Sequence, residues 1–160
     1  MTSKTTKWDW GTYTPSFSSD GCTLVGESEP FKVNYNGQLP SNFEVEMSFL
    51  HSGNGIYDLL VVTGTNNEPF QTSFFNYNQN LIVYNTWPPN YNVSISNINM
   101  NNWITLKFRV ENGTLSIIHN NTTLISCSCD TSEYNYVGLE IYESSTNRQR
   151  TVKDFKIRTL

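Results

Sequence analysis

The chain has no alanine among its 160 residues, so the strongest helix former is missing throughout. Extended helices are therefore not expected. Charge is sparse at 15% of residues, the formal net charge is -4, and no block of one sign occurs. No broad positive face is available to collect phosphates, which argues against nucleic acid as a partner. Long apolar runs are also missing. Met1 to Lys7 lacks the apolar core of a signal peptide, and no stretch has enough consecutive apolar residues to span a bilayer, so no membrane insertion is expected. A soluble domain of a larger surface protein, or one that reaches the outside by another route such as a virus particle, fits these absences.

Cysteine is scarce, with Cys22, Cys127 and Cys129 the only three. Cys127 and Cys129 stand two apart and on a strand share one side, so they cannot easily bond each other. Either can meet Cys22, and one thiol is left over. Buried thiols acting as small hydrophobes are the simpler reading. The two histidines, His51 and His119, have no finger-like spacing, so neither a metal site nor a cofactor is expected.

What is abundant suits pleated sheets: Asn, Thr, Ser, Tyr, Phe, Ile and Val. The length fits one domain over residues 1–160, large enough to bury a full core without disulfide staples. The spacing predicts strands near Lys7 to Tyr13, Cys22 to Gly26, Phe31 to Tyr35, Asn42 to Leu50, Tyr57 to Thr63, Thr72 to Tyr77 and Leu81 to Asn85. It continues with Asn92 to Ser96, Trp103 to Glu111, Thr114 to His119, Thr122 to Ser126, Tyr136 to Tyr142 and Thr151 to Arg158. Asn- and Gly-containing turns punctuate them. Such spacing implies an all-β, two-sheet antiparallel sandwich.

Phase assigns the faces. Phe43, Val45, Met47 and Phe49 are expected inside, with Glu44, Glu46 and Ser48 outside. Ile104, Leu106, Phe108 and Val110 repeat the pattern, and beyond Asn112-Gly113, a strong hairpin signal, Leu115 and Ile117 resume it. Val137, Leu139 and Ile141 form another inward set. Val152, Phe155 and Ile157 form a last one, with a bulge expected near Lys153-Asp154 where the spacing shifts by one residue.

Asn102 to Val110, Asn112 to Ile117, Val137 to Tyr142 and Val152 to Ile157 together resemble the second half of a concanavalin A-like, laminin-G-like jelly roll. The likeness covers roughly residues 40 to 160. It implies kinship with carbohydrate-binding modules, lectins, and the receptor-binding domains of phage tails and adhesins. The metal-binding cluster of legume lectins is not recognisable.

Sugar recognition needs flat apolar surfaces and planar amides, and the chain holds four Trp, nine Tyr and many Asn. Trp87 precedes Pro88-Pro89 and is followed by Asn90 and Tyr91. An aromatic on so stiff a loop loses little freedom on stacking, although it can equally cap the end of the sandwich. Tyr77, Tyr84, Tyr136 and Tyr142 point outward in phase and are candidates for a shared aromatic platform. Trp8, Trp10 and Trp103 read as packing residues. Of the ten basic residues, Arg148, Arg150, Lys153, Lys156 and Arg158 cluster near the C-terminus, as either a docking surface for an anionic neighbour or the guard of an edge strand.

Glu44 and Glu46 project from one face about 6.5 to 7 Å apart, near the lower limit of the carboxylate separation in inverting glycosidases. Cross-strand ion pairing with Lys107 and Arg109 explains them more simply. No other catalytic constellation occurs. Four Asn-x-Ser/Thr sequons begin at Asn92, Asn112, Asn120 and Asn121, about the number chance gives for a chain so rich in these residues. The sequence therefore reads as a lectin-like domain, not an enzyme, that recognises a cell-surface glycan from outside the cell or from a virion, as an oligomer or part of a larger assembly. The alternatives are a structural, oligomerising sandwich and a glycoside hydrolase using Glu44 and Glu46.

Overall fold

The computed structural model describes residues 8–9, 16–19, 21–25, 31–35, 37, 39–52, 58–63, 71–77, 80–85, 91–95, 102–128, 136–141 and 149–160. These residues form fourteen strands and no helix. One sheet runs, in spatial order, through β1 (Trp8–Asp9), β4 (Phe31–Tyr35), β13 (Tyr136–Ile141), β6 (Asp58–Thr63), β7 (Gln71–Tyr77), β8 (Asn80–Asn85) and β9 (Tyr91–Ile95). The second runs through β12 (Thr122–Ser128), β11 (Thr114–His119), β10 (Ile104–Glu111), β5 (Phe43–Ser52), β14 (Gln149–Thr159), β3 (Gly21–Val25) and β2 (Ser16–Ser18). Every strand pairing is antiparallel, and the two sheets make a β-sandwich.

The core follows from period-two alternation. Phe108 pairs with Val45 on one side and Ile117 on the other, and Leu106 pairs with Met47, so apolar residues line up across three strands. Phe43, Val45, Leu106, Phe108, Val110 and Ile117 are wholly buried. Burying each such side chain contributes about 1.5–3 kcal/mol before the cost of ordering the chain is set against it. From the first sheet, Val137 reaches the same fully buried state. Leu139 and Ile141 follow it at the same pleat parity on β13. Trp103, half-buried just before β10, packs under Lys153, whose Nζ stands 3.8 Å from the ring centroid.

The turns explain the register. Asn112 and Gly113 adopt φ of 49° and 75°, the left-handed pair that a type I′ hairpin needs, and Glu111 pairs with Thr114 directly across them. Asn120 and Asn121 repeat the device with φ of 48° and 62°, joining β11 to β12. Asn42 ties this end together, its Oδ1 accepting from the Asn112 backbone N at 3.0 Å and its carbonyl accepting from Leu160 N at 3.2 Å.

Several expectations need correction. Glu44 and Ser48 lie on the outer face but are buried, at 1% and 5% exposure. Arginine side chains from both neighbouring strands cover Glu44, and Ser48 Oγ shares a 2.7 Å hydrogen bond with Thr105 Oγ1. The basic C-terminal segment is divided: Gln149–Val152, with Arg150, lie between β5 and β3, whereas Lys153, Lys156 and Arg158 lie on the part of β14 that among the described residues pairs with β5 alone. A short strand at Ser16–Ser18 escaped the pattern, being too brief to show alternation. The last strand does carry its bulge. Lys153 pairs with Ser48 and Lys156 with Glu46, so Asp154 and Phe155 together oppose Met47, with Asp154 at φ 53°. Cys22 and Cys127 are buried thiols outside any disulfide, on strands five steps apart in the second sheet. Burial pushes the Cys22 thiol up to about 11. Cys129 and Trp10 lie outside the described residues.

Candidate functional site

The register fixes which candidate positions share a face. Tyr136 pairs with Thr63, and Leu59, four residues back on the same strand, pairs with Ser73, which pairs with Tyr84. Tyr77 lies four residues beyond Ser73 and pairs with Asn80. Tyr77, Tyr84 and Tyr136 therefore occupy one face of the first sheet, at the parity opposite to buried Val137. The positions are spread out. Tyr84 lies one strand and four residues from Tyr77, roughly 14 Å, and three strands and four residues from Tyr136, roughly 20 Å. Phe75, Ile82, Gln71, Ser73, Asn80, Asn92 and Ser94 share that parity.

Tyr91 opens β9 opposite Asn85, at the other parity, so the backbone does not bring it onto the tyrosine face. Trp87, Asn90 and Tyr142 lie outside the described residues.

The outer face of the second sheet is built of charged rungs. Arg109 Nε and Nη2 both donate to Glu44 Oε2, at 2.9 and 2.7 Å, while Arg158 Nη2 donates to Glu44 Oε1. Glu46 stands between Lys156 at 3.0 Å and Lys107 at 3.3 Å. The hydrogen bond from Lys156, reinforced by Lys107, holds the Glu46 carboxyl below its ordinary value despite an opposing cost of burial. A glycosidase acid needs the reverse shift and an open path to the glycosidic oxygen. Glu44 lacks that path and Glu46 lacks that shift, so this pair is structural.

Sequence reasoning passed over a concavity on this same face. Thr105, Lys107, Ile118, Asn120 and Asn121 line a cleft of about 210 Å³. His119 Nδ1 donates to the Thr105 carbonyl at 3.0 Å and its Nε2 accepts from Asn120 Nδ2 at 3.1 Å, which fixes the imidazole tautomer and aims the amide. In the sequence, Asn120 and Asn121 stood out only as sequons. Their second role depends on a turn that returns the chain beside β10.

No protein-family model matches the chain, and no curated protein matches it in sequence. Solved structures do. The carbohydrate-binding module CBM66 from Bacillus subtilis superposes with a TM-score of 0.71 at 12% identity, over 96% of each chain. The apo Crh5 transglycosylase gives 0.69 at 9% identity, over 95% of this chain and 79% of that one. An alginate lyase from Corynebacterium sp. gives 0.66 at 10% identity, over 98% and 82%. The likeness thus includes the first half of the chain, where the sequence pattern was least distinctive. It also corrects the expectation that the chain is not an enzyme. That expectation leaned on the sandwich as a holder of ligands, whereas a transglycosylase and a lyase have the same architecture. By strand order, register and superposition, this chain has the concanavalin A-like jelly-roll fold.

Proposed function

We propose that residues 1–160 are a single carbohydrate-recognition domain that meets a cell-surface glycan through the outer face of the first sheet. The shared parity of Tyr77, Tyr84 and Tyr136 carries this reading. Aromatic rings stack on the C–H faces of sugars, and the amide positions Gln71, Asn80 and Asn92 on the same face suit sugar hydroxyls. Trp87, Asn90 and Tyr142 enter this reading on their sequence character alone, and Tyr91 stands at the other parity of β9. The names of similar structures, a carbohydrate-binding module among them, support a carbohydrate ligand.

Positions spaced roughly 14 to 29 Å apart suit separate sugar units, so each site binds weakly and several copies together give useful attachment. That is the behaviour of a phage receptor-binding domain or an adhesin module acting outside the cell or on a virion. A glycan array probed with a multimerised domain tests the proposal. Binding to a bacterial or archaeal wall polymer that Tyr84→Ala reduces supports it, and silence across such polymers contradicts it.

The likeness to a transglycosylase and alginate lyases favours a second reading, a carbohydrate-active enzyme. Its catalytic groups would lie apart from Glu44 and Glu46. Product release from a polysaccharide that persists in Glu46→Gln supports this reading, and no release by the wild type ends it.

A further inference from the structure

The outer face of the second sheet carries a small surplus of cations. Among the described residues, the outer face of the second sheet carries Lys107, Arg109, Lys153, Lys156 and Arg158 against Glu44, Glu46, Glu111 and Asp154. Half of the ten basic residues are thus matched by four of the fourteen acidic ones, in a chain of net charge -4. Within the rungs the surplus is sharper, since Glu44 and Glu46 each stand between two cations.

Lys107 is the cation that borders the cleft. It shares Glu46 with Lys156, and Lys156 holds the shorter contact, 3.0 against 3.3 Å. Lys107 can therefore turn to a second anion while Glu46 stays paired. Around it stand the Thr105 hydroxyl, the Asn120 amide already oriented by His119, the Asn121 amide and the apolar side of Ile118. At about 210 Å³ the cleft is smaller than the about 300–1,000 Å³ of drug-sized pockets and suits one sugar ring.

We propose that this cleft binds a single pyranose carrying a carboxylate, with Lys107 on the carboxylate, Asn120 and Asn121 on ring hydroxyls, and Ile118 beneath the ring. The site lies on the opposite side of the sandwich from the tyrosine positions, so it goes beyond the glycan reading given above. A carboxylate is favoured over a neutral sugar because the cleft offers an ammonium whose own counterion has another partner. A charge-assisted hydrogen bond of this kind is worth about tenfold or more in affinity.

The test is a ¹H–¹⁵N titration with methyl glucuronide, with methyl glucoside as its neutral counterpart. The uronide should produce saturable shifts at the Asn120 and Asn121 side-chain amides, at an affinity at least about tenfold above the glucoside. Lys107→Met should remove that preference. Glu46→Gln, which frees Lys107, should strengthen uronide binding, and Tyr84→Ala should leave it unchanged, separating this site from the tyrosine face. Equal binding of the two sugars, no saturable shift at Asn120 and Asn121, or a Glu46→Gln variant with unaltered affinity would overturn the proposal.

Discussion

Arg109 closes over Glu44 from the neighbouring strand, two of its nitrogens sharing one carboxylate oxygen at 2.7 and 2.9 Å. Arg158 takes the other oxygen, so a carboxylate on the outer face of a sheet has no exposed surface on its side chain. The arginines themselves keep 36% and 57% of their side-chain surface in water, which limits the strength of the cluster. Glu44→Ala should destabilise the fold by roughly 1–3 kcal/mol, and Glu46→Ala by less than about 1 kcal/mol. Urea unfolding of both variants checks this. An equal or reversed order would contradict the burial argument.

The Glu46 carboxyl sits below its ordinary value chiefly because Lys156 hydrogen-bonds it. A carboxyl with a depressed folded-state value adds stability that is fully present above the unfolded value and is lost as pH falls through the folded one. Stability should therefore fall from about pH 5 downward. Glu46→Gln should flatten part of that decline, as read from unfolding midpoints at stepped pH. An unchanged slope would show that Glu46 contributes nothing to it.

Asp154 holds φ 53° at the bulge in β14, a conformation that Gly adopts freely and a β-branched residue resists. Asp154→Gly should leave thermal stability within about 0.5 kcal/mol, whereas Asp154→Val should cost about 1–2 kcal/mol. If Val is tolerated as well as Gly, the bulge is not where the register shift puts it.

Phe108 is fully buried between Val45 and Ile117. Phe108→Ala should cost about 3–5 kcal/mol, a large part of the stability of a typical domain. Denaturant titration provides the measurement, and a loss below about 1 kcal/mol would mean that the two sheets do not pack there.

Burial raises the Cys22 thiol to about 11, so almost none of it is thiolate at pH 8. Iodoacetamide should leave Cys22 and buried Cys127 unmodified in the native protein and label both in urea, as read by mass spectrometry. Rapid native labelling of Cys22 would contradict its position in the core.

Much of the fold was legible because the informative strands have one dry face. Phe43 to Phe49 and Ile104 to Val110 alternate without exception, and Asn112-Gly113 specifies its own turn. Alternation assigns a side of the sheet but not its exposure, which is why Glu44 and Ser48 were expected in water. What covers them comes from Arg158 and Thr105 on strands distant in sequence. That only Gln149–Val152 of β14 lie between two strands was hidden for the same reason, since charge marks edges and ladder centres alike. The cleft beside Lys107 was not legible because it exists only once the Asn120-Asn121 turn folds back. For the tyrosines, sequence phase supplied the parity within each strand, and only the cross-strand register relates one strand to the next.

The most direct test of glycan recognition by the first sheet is backbone-amide shift mapping with an oligosaccharide selected on the array. The account predicts shifts clustered at Tyr77, Tyr84 and Tyr136 and their neighbours Ser73, Asn80 and Asn92, and loss of binding in a Tyr84→Ala, Tyr136→Ala double variant that remains folded. Shifts that avoid β7, β8 and β13, or undiminished binding by that variant, would contradict it.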